Sequence, residues 1–122
     1  MTTREIIDKY FEYINHADWE NWFTLFDEKI VYDDAVSGRM VGMEAIKQSA
    51  KGISMAFKSF KNYAIETVVE NNKAMVVCHI VAVAANGKSL DSIGANFYKI
   101  ENGKIVNVAS YHDTAPFKSL WE

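Results

Sequence analysis

At 122 residues the chain is sized for a single domain, residues 1–122, that can bury a core without disulfides or metal. Hydrophobic residues make up 49% and charged residues 24%, the balance of a soluble globule, while a net charge of −3 argues against nucleic acid or an anionic membrane surface as the main partner. One cysteine, Cys78, excludes an internal disulfide framework and any CxxC metal site. With no apolar h-region in MTTREIIDKY and no apolar run of about 18 residues, a cytoplasmic protein is expected.

In chain order, Thr2-Thr3-Arg4-Glu5 has capping-box spacing, and Ile6, Ile7, Tyr10, Phe11 and Ile14 then fall on one helical stripe. Asn15-His16-Ala17-Asp18 breaks that helix, with Asp18 as the N-cap of a second whose buried face is Trp19, Trp22, Phe23 and Phe26. From Lys29 the period changes to that of a strand, leading into a turn at Ser37-Gly38. A third helix follows from Met43, Ile46, Ala50, Ile53, Phe57 and Phe60, with Lys47, Lys51 and Lys58 on its solvated faces. Four strands close the chain: Phe60–Val69, Lys73–Ala85, Lys88–Ile100 and Lys104–His112. Asn86-Gly87 and Asn102-Gly103 mark hairpins, Asn71-Asn72 a weaker one, and Pro116 comes after the last strand. The run Met75–Ala85 is apolar on both faces, so both sides of the sheet should be covered, one by helices and the other by a second subunit. A homodimer through the convex sheet face is the expectation.

Lys29–Gly42, KIVYDDAVSGRMVG, sets two adjacent carboxylates, Asp33 and Asp34, in an apolar run. Burying a carboxylate costs stability unless it is paired or used, and strand alternation allows at most one of the pair to face a cavity. Trp19, Trp22, Phe23 and Phe26 read as core and cavity wall. Met40, Met43 and Met55 serve either as an adaptable apolar lining or as gap-fillers. The spacing of His16, His79 and His112 matches no metal-ligand motif. With no GxGxxG, phosphate loop, HExxH or nucleophile elbow, no cofactor or metal is expected.

Three stretches carry a family resemblance: the helix break NHADW, the segment DDAVSGRMVGMEAIKQ, and the closing FYKIENGKIVNVASYHD. Over essentially its whole length the chain resembles the nuclear transport factor 2-like superfamily, of the SnoaL-like and ketosteroid isomerase-like type. The resemblance implies an α+β fold in which a cone-shaped, curved, mixed or antiparallel sheet wraps three helices around a deep apolar cavity. It also implies a small apolar ligand, a carbonyl compound in the isomerase branch, while charge and composition leave no nucleic-acid or membrane partner expected. The superfamily holds isomerases, polyketide cyclases, epoxide hydrolases, dehydratases and non-catalytic binding domains, so fold alone does not set function.

Set against the isomerase branch without gaps, Asp34 falls on the general-base aspartate and Tyr10 on the oxyanion-donating tyrosine. Asn96 falls on the second donor, an aspartic acid in that branch, and its amide keeps the capacity to donate. Such donors are worth roughly 2.7–4 kcal/mol each in other oxyanion holes. On pattern alone Tyr10 is an ordinary amphipathic-helix residue, Asp34 a turn cap and Asn96 a satisfied strand amide; their joint register is what makes them a site. By strand parity His79 shares a face with Val81 and Val83, the face expected to line the cavity, while Cys78 goes to the convex side. His112 shares a face with Val108 and Ser110, and both histidines are candidates for donating to a ligand or assisting proton transfer. Trp19, Phe23, Met43, Met55, Val81, Val83, Val108 and Ser110 are the expected ligand-binding lining. Cyclases and hydrolases of the superfamily keep an acid where this chain has Ser110, which weighs against them; in that reading Asp34 or Asp113 would act with His79 or His112. Three expectations stand: a proton-shifting isomerase, a cyclase or hydrolase, and a non-catalytic binding or assembly domain.

Overall fold

The computed structural model describes residues 1–122. The Thr2 capping box forms as the spacing predicts, with Glu5 N donating to Thr2 Oγ1 at 3.1 Å and Thr2 N to Glu5 Oε1 at 2.9 Å. It starts helix α1 (Thr3–Asn15), whose stripe Ile6, Ile7, Tyr10, Phe11 and Ile14 is buried. The Asp18 carboxylate receives the Asn21 side-chain amide at 2.8 Å and caps the short α2 (Trp19–Phe23). The chain then turns one residue after Thr24 into strand β1 (Phe26–Asp34), so Phe26 belongs to the sheet rather than to the second helix. A short strand β2 (Gly38–Val41) pairs back on β1, and Gly42, at φ 88, allows the sharp entry into α3 (Met43–Ala56).

The third helix ends at Ala56, earlier than its apolar stripe predicts, because β3 (Phe57–Glu70) already begins at Phe57. Phe57 and Phe60 therefore meet as strand residues, with ring centroids 5.2 Å apart. Strands β4 (Lys73–Ala84), β5 (Ser89–Glu101) and β6 (Lys104–His112) complete an antiparallel meander, and a short helix α4 (Ala115–Ser119) follows Asp113. Its Pro sits at the start of the helix, where a missing N–H costs nothing.

The single sheet has the order β2-β1-β6-β5-β4-β3, with β1 and β6 parallel and all other pairs antiparallel. Register shifts interrupt the β1–β6, β3–β4 and β5–β6 ladders, and such bulges bend a sheet. The concave side holds the core. There Tyr10 packs edge-on against Phe11, Phe26 and Tyr98, at centroid distances of 5.1, 6.2 and 5.0 Å.

Strand β4 corrects one parity expectation. Ala74, Val76, Cys78, Ile80, Ala82 and Ala84 point inward, so His79, Val81 and Val83 lie on the convex side. A strand apolar on both faces gives alternation nothing to choose between. The inner row is the one with the smaller residues, where helices and cavity need room. Cys78 is therefore in the core rather than at the convex face, and burial pushes its thiol up to about 11.

Candidate functional site

A cavity of about 580 Å³ lies between the concave sheet, α2, α3 and α4. Its walls are mostly apolar, from Ile14, Trp19, Met40, Ile53, Phe60 and Trp121 among others. Of the lysines, arginines, aspartates and glutamates of the chain, only Asp34 lines it. An anionic ligand would face that carboxylate with no cation in reach, so the electrostatics select an uncharged or basic compound.

Asp34 closes β1, and its Oδ1 accepts the backbone N–H groups of Val36 and Ser37, both at 2.8 Å. That oxygen is committed to the turn, leaving Oδ2 for chemistry. Asp33, one residue earlier, goes to the opposite face and forms a bidentate pair with Arg39, at 2.7 and 3.0 Å, which holds its carboxyl below the usual range. The turn is tied to β6 by Ala35 N donating to Ser110 Oγ at 3.0 Å. This tie brings Asp34 to the end of β6, where His112 lines the same cavity. Burial pushes the His112 imidazole below its ordinary value of 6.5, and the nearby Asp34 carboxylate partly opposes that shift.

Deeper in, the Tyr10 and Tyr32 hydroxyls share a hydrogen bond of 2.6 Å, and Asn96 Nδ2 donates to the Tyr98 hydroxyl at 3.0 Å. Burial drives all three phenols well above the ordinary tyrosine range, so they act as donors and not as bases. One Tyr10–Tyr32 bond uses one of two hydroxyl protons. Trp22 Nε1, Asn62 Oδ1 and Asn96 Oδ1 are buried with no hydrogen-bond partner in the protein, and all three residues line the cavity. Buried polar atoms are usually satisfied, so the wall holds spare hydrogen-bonding capacity for a ligand.

The cavity thus brings together Tyr10, Asp34, Asn96, His112, Trp19 and Ser110. It does not reach the others. His79 is on the convex face, where its Nε2 meets Asp91 Oδ1 at 2.7 Å, and Val81 is exposed beside it. Met55 is exposed on the outer side of α3, whose inward row is Ile46, Ser49, Gly52, Ile53 and Ala56. Phe23 and Met43 pack against the core from its edge, and Val108, on the face expected, is sealed beneath it. Asp113 is exposed and accepts the Ala115 N–H at 3.0 Å, so no second acid faces the cavity from the last strand. Sequence reasoning missed Tyr32, Asn62 and Tyr98, plus Phe117 of α4 and Leu120 directly after it. Strand parity from Asp34 would have found Tyr32; Asn62 and Tyr98 needed the register of the meander.

A curved, unclosed sheet over helices, in the strand order seen here, is the NTF2-like class of α+β fold. The chain belongs to the SnoaL-like polyketide cyclase family, whose model matches residues 4–119. Among curated proteins no match was found. Of solved structures, an NTF2-like protein of unknown function from Burkholderia pseudomallei is 14% identical, with a TM-score of 0.89 over 97% of this chain and 95% of that one. TerC, co-crystallised with polyporic acid, is also 14% identical, with a TM-score of 0.87 over 97% and 96% of the two chains. An NTF2-like protein of unknown function from Cytophaga hutchinsonii is 20% identical, with a TM-score of 0.80 over 97% and 96%. These three likenesses establish the fold. No helix is long and apolar enough to cross a membrane.

Proposed function

We propose that the protein is an enzyme that moves a proton on an uncharged, largely apolar carbonyl compound, with Asp34 as the base. One observation supports this above the rest: a lone carboxylate shares an apolar cavity with a half-buried imidazole. In this reading Asp34 Oδ2 takes a proton from the carbon next to the carbonyl, giving a neutral carboxyl and an enolate. Tyr10, backed by Tyr32, donates to the enolate oxygen, with the second N–H of Asn96 as a further donor. Returning the proton to another carbon completes an isomerisation. Attack of the enolate carbon on a second carbonyl of the same molecule, followed by protonation of the resulting alkoxide, completes a cyclisation instead. The family match favours the second outcome, and both begin with the same step. His112, held neutral near pH 7, offers one ring N–H and one acceptor nitrogen beside the base.

The test is Asp34→Asn, assayed on a β,γ-unsaturated ketone by the absorbance of its conjugated product. Binding of the same ketone is followed by quenching of tryptophan fluorescence. Asparagine keeps an Oδ1 acceptor for the Val36 and Ser37 amides, so the turn should survive while the base is lost. Turnover should fall by about 10²–10⁴-fold, the usual worth of a general base, with affinity nearly unchanged. Asp34→Ala should lose the turn contacts as well and melt earlier than Asp34→Asn. Turnover by Asp34→Asn at the wild-type rate would sink the assignment.

We further propose that the protein is a homodimer joined through the convex face of its sheet. Tyr63, Val68, Met75, Val77, Ile93 and Tyr111 are all exposed there, on a face that an isolated antiparallel sheet would make polar.

A further inference from the structure

Gly94 sits near the middle of β5, on its inward row between Ser92 and Asn96. Its backbone gives no reason for glycine. The glycines with positive φ are Gly38, Gly42, Gly87 and Gly103, and Gly94 is not among them. A glycine inside a strand gives up packing and adds unfolded-state entropy, so it marks a bulge or a close approach. No register shift occurs at Gly94, where β5 pairs Cys78 on one side and His112 on the other. A close approach is what remains.

The approach is made by His112. A Cβ on residue 94 would lie 2.2 Å from His112 Nδ1, 2.5 Å from Cε1 and 2.6 Å from Cγ. Distances to the two ring neighbours of Nδ1 that barely exceed the distance to Nδ1 itself place that point over the face of the imidazole, not beyond its edge. The ring therefore lies flat on the bare Cα of Gly94. Nothing else fixes it by hydrogen bonding on that side, because Nδ1 is buried without a partner. Phe117 of α4 meets the ring edge-on, at a centroid distance of 6.1 Å. Cγ is one bond from the His112 Cβ, so a clash there cannot be relieved by swinging a flexible tip. The whole side chain must rotate away.

We propose that Gly94 is the positioning residue for His112, the side chain that must be absent for the imidazole to lie in the cavity wall beside Asp34. The role rests on the reading of His112 as part of the working site. It makes residue 94 a control point: any side chain there re-aims the imidazole without touching the ligand or the base.

The test compares wild type, Gly94→Ala, His112→Ala and the double variant. The first readout is the His112 Cε1–H resonance, followed by NMR across pH; the second is turnover of the same β,γ-unsaturated ketone. Gly94→Ala should shift the resonance and move its titration toward that of an exposed histidine. It should also cut kcat by about 100-fold, the scale of a 1 Å misplacement. In the His112→Ala background the same change should alter kcat by less than about 2-fold, since the clashing ring is gone. If Gly94→Ala does not fold, the double variant should, because removing the imidazole opens the space. An unmoved His112 resonance, an equal loss in both backgrounds, or a double variant that also fails to fold would each overturn the positioning role. Full turnover in His112→Ala is a different result: it would remove His112 from the chemistry and with it the reading on which this role rests.

Discussion

His112 is the residue whose burial has the clearest consequence in solution. The imidazole is neutral in the folded state because desolvation lowers its pKa below the ordinary 6.5, more than the Asp34 carboxylate raises it. An unfolded chain takes up that proton at the ordinary value. Between the ordinary and the folded pKa the unfolded state therefore binds more protons, so this residue's share of stability is full above 6.5 and lost as the pH falls. His112→Gln removes the titration. Urea midpoints measured from about pH 7 to about pH 5 should show wild type losing its advantage over the variant, with most of the change below pH 6.5. A constant difference across that range would mean that the imidazole is as protonated folded as unfolded. The same scale explains why Asp33 and Asp34 part company. Alternation sends one to Arg39 and the other to the cavity, and that split was legible in the sequence, as was the Asp34 turn cap. The phenol network was not, because Tyr32, Tyr10 and Tyr98 come from three separate elements.

At the scale of elements, most of the fold was legible wherever the apolar period was one-sided. The α1 stripe, the Asp18 cap and β6 (Lys104–His112) stand as their patterns indicate, and the other three strands of the meander within a few residues. Two short elements were not legible. Strand β2 has only four residues and leans on β1, and α4 is a single turn whose helix signal is little more than Pro116 after Asp113. Tertiary contacts, not propensity, hold α4. Leu120 is 2% exposed, in a small cluster with Ile80, Ala82, Ala84 and Leu90, and its carbonyl accepts the Asn86 side-chain amide at 2.8 Å. Thus the Asn86-Gly87 turn has a second task beyond reversing the chain: it pins the element that supplies Phe117 to the cavity. Leu120→Ala should cost about 2–5 kcal/mol, read as a lower urea midpoint at unchanged m-value. It should also broaden the His112 resonance as Phe117 loosens. A variant as stable as wild type would show that α4 is not docked through this residue.

For the molecule as a whole, the two faces of the sheet answer different demands. The concave face spends small residues, Ala74, Ala82, Ala84 and Gly94, to make room for helices, cavity and imidazole. The convex face has no helix over it yet exposes large apolar side chains on neighbouring strands: Tyr63 and Ile93 flank His79, and Val77 and Tyr111 flank Ala95. The parity of β4 was hard to read for this reason, since a strand that is apolar on both faces shows no polar row. Ile93 lies within this surface at 61% exposure, so a lysine there meets no core atom of its own chain. Ile93→Lys should leave the circular dichroism spectrum and the thermal midpoint of a dilute sample nearly unchanged. By sedimentation equilibrium, wild type should run as a dimer and the variant as a monomer, because pairing would bury an unpaired lysine of each protomer on a desolvated face. A wild-type protein that stays monomeric across micromolar concentrations would remove the dimer. So would a variant that pairs as tightly as wild type, and either would leave the convex face without a partner.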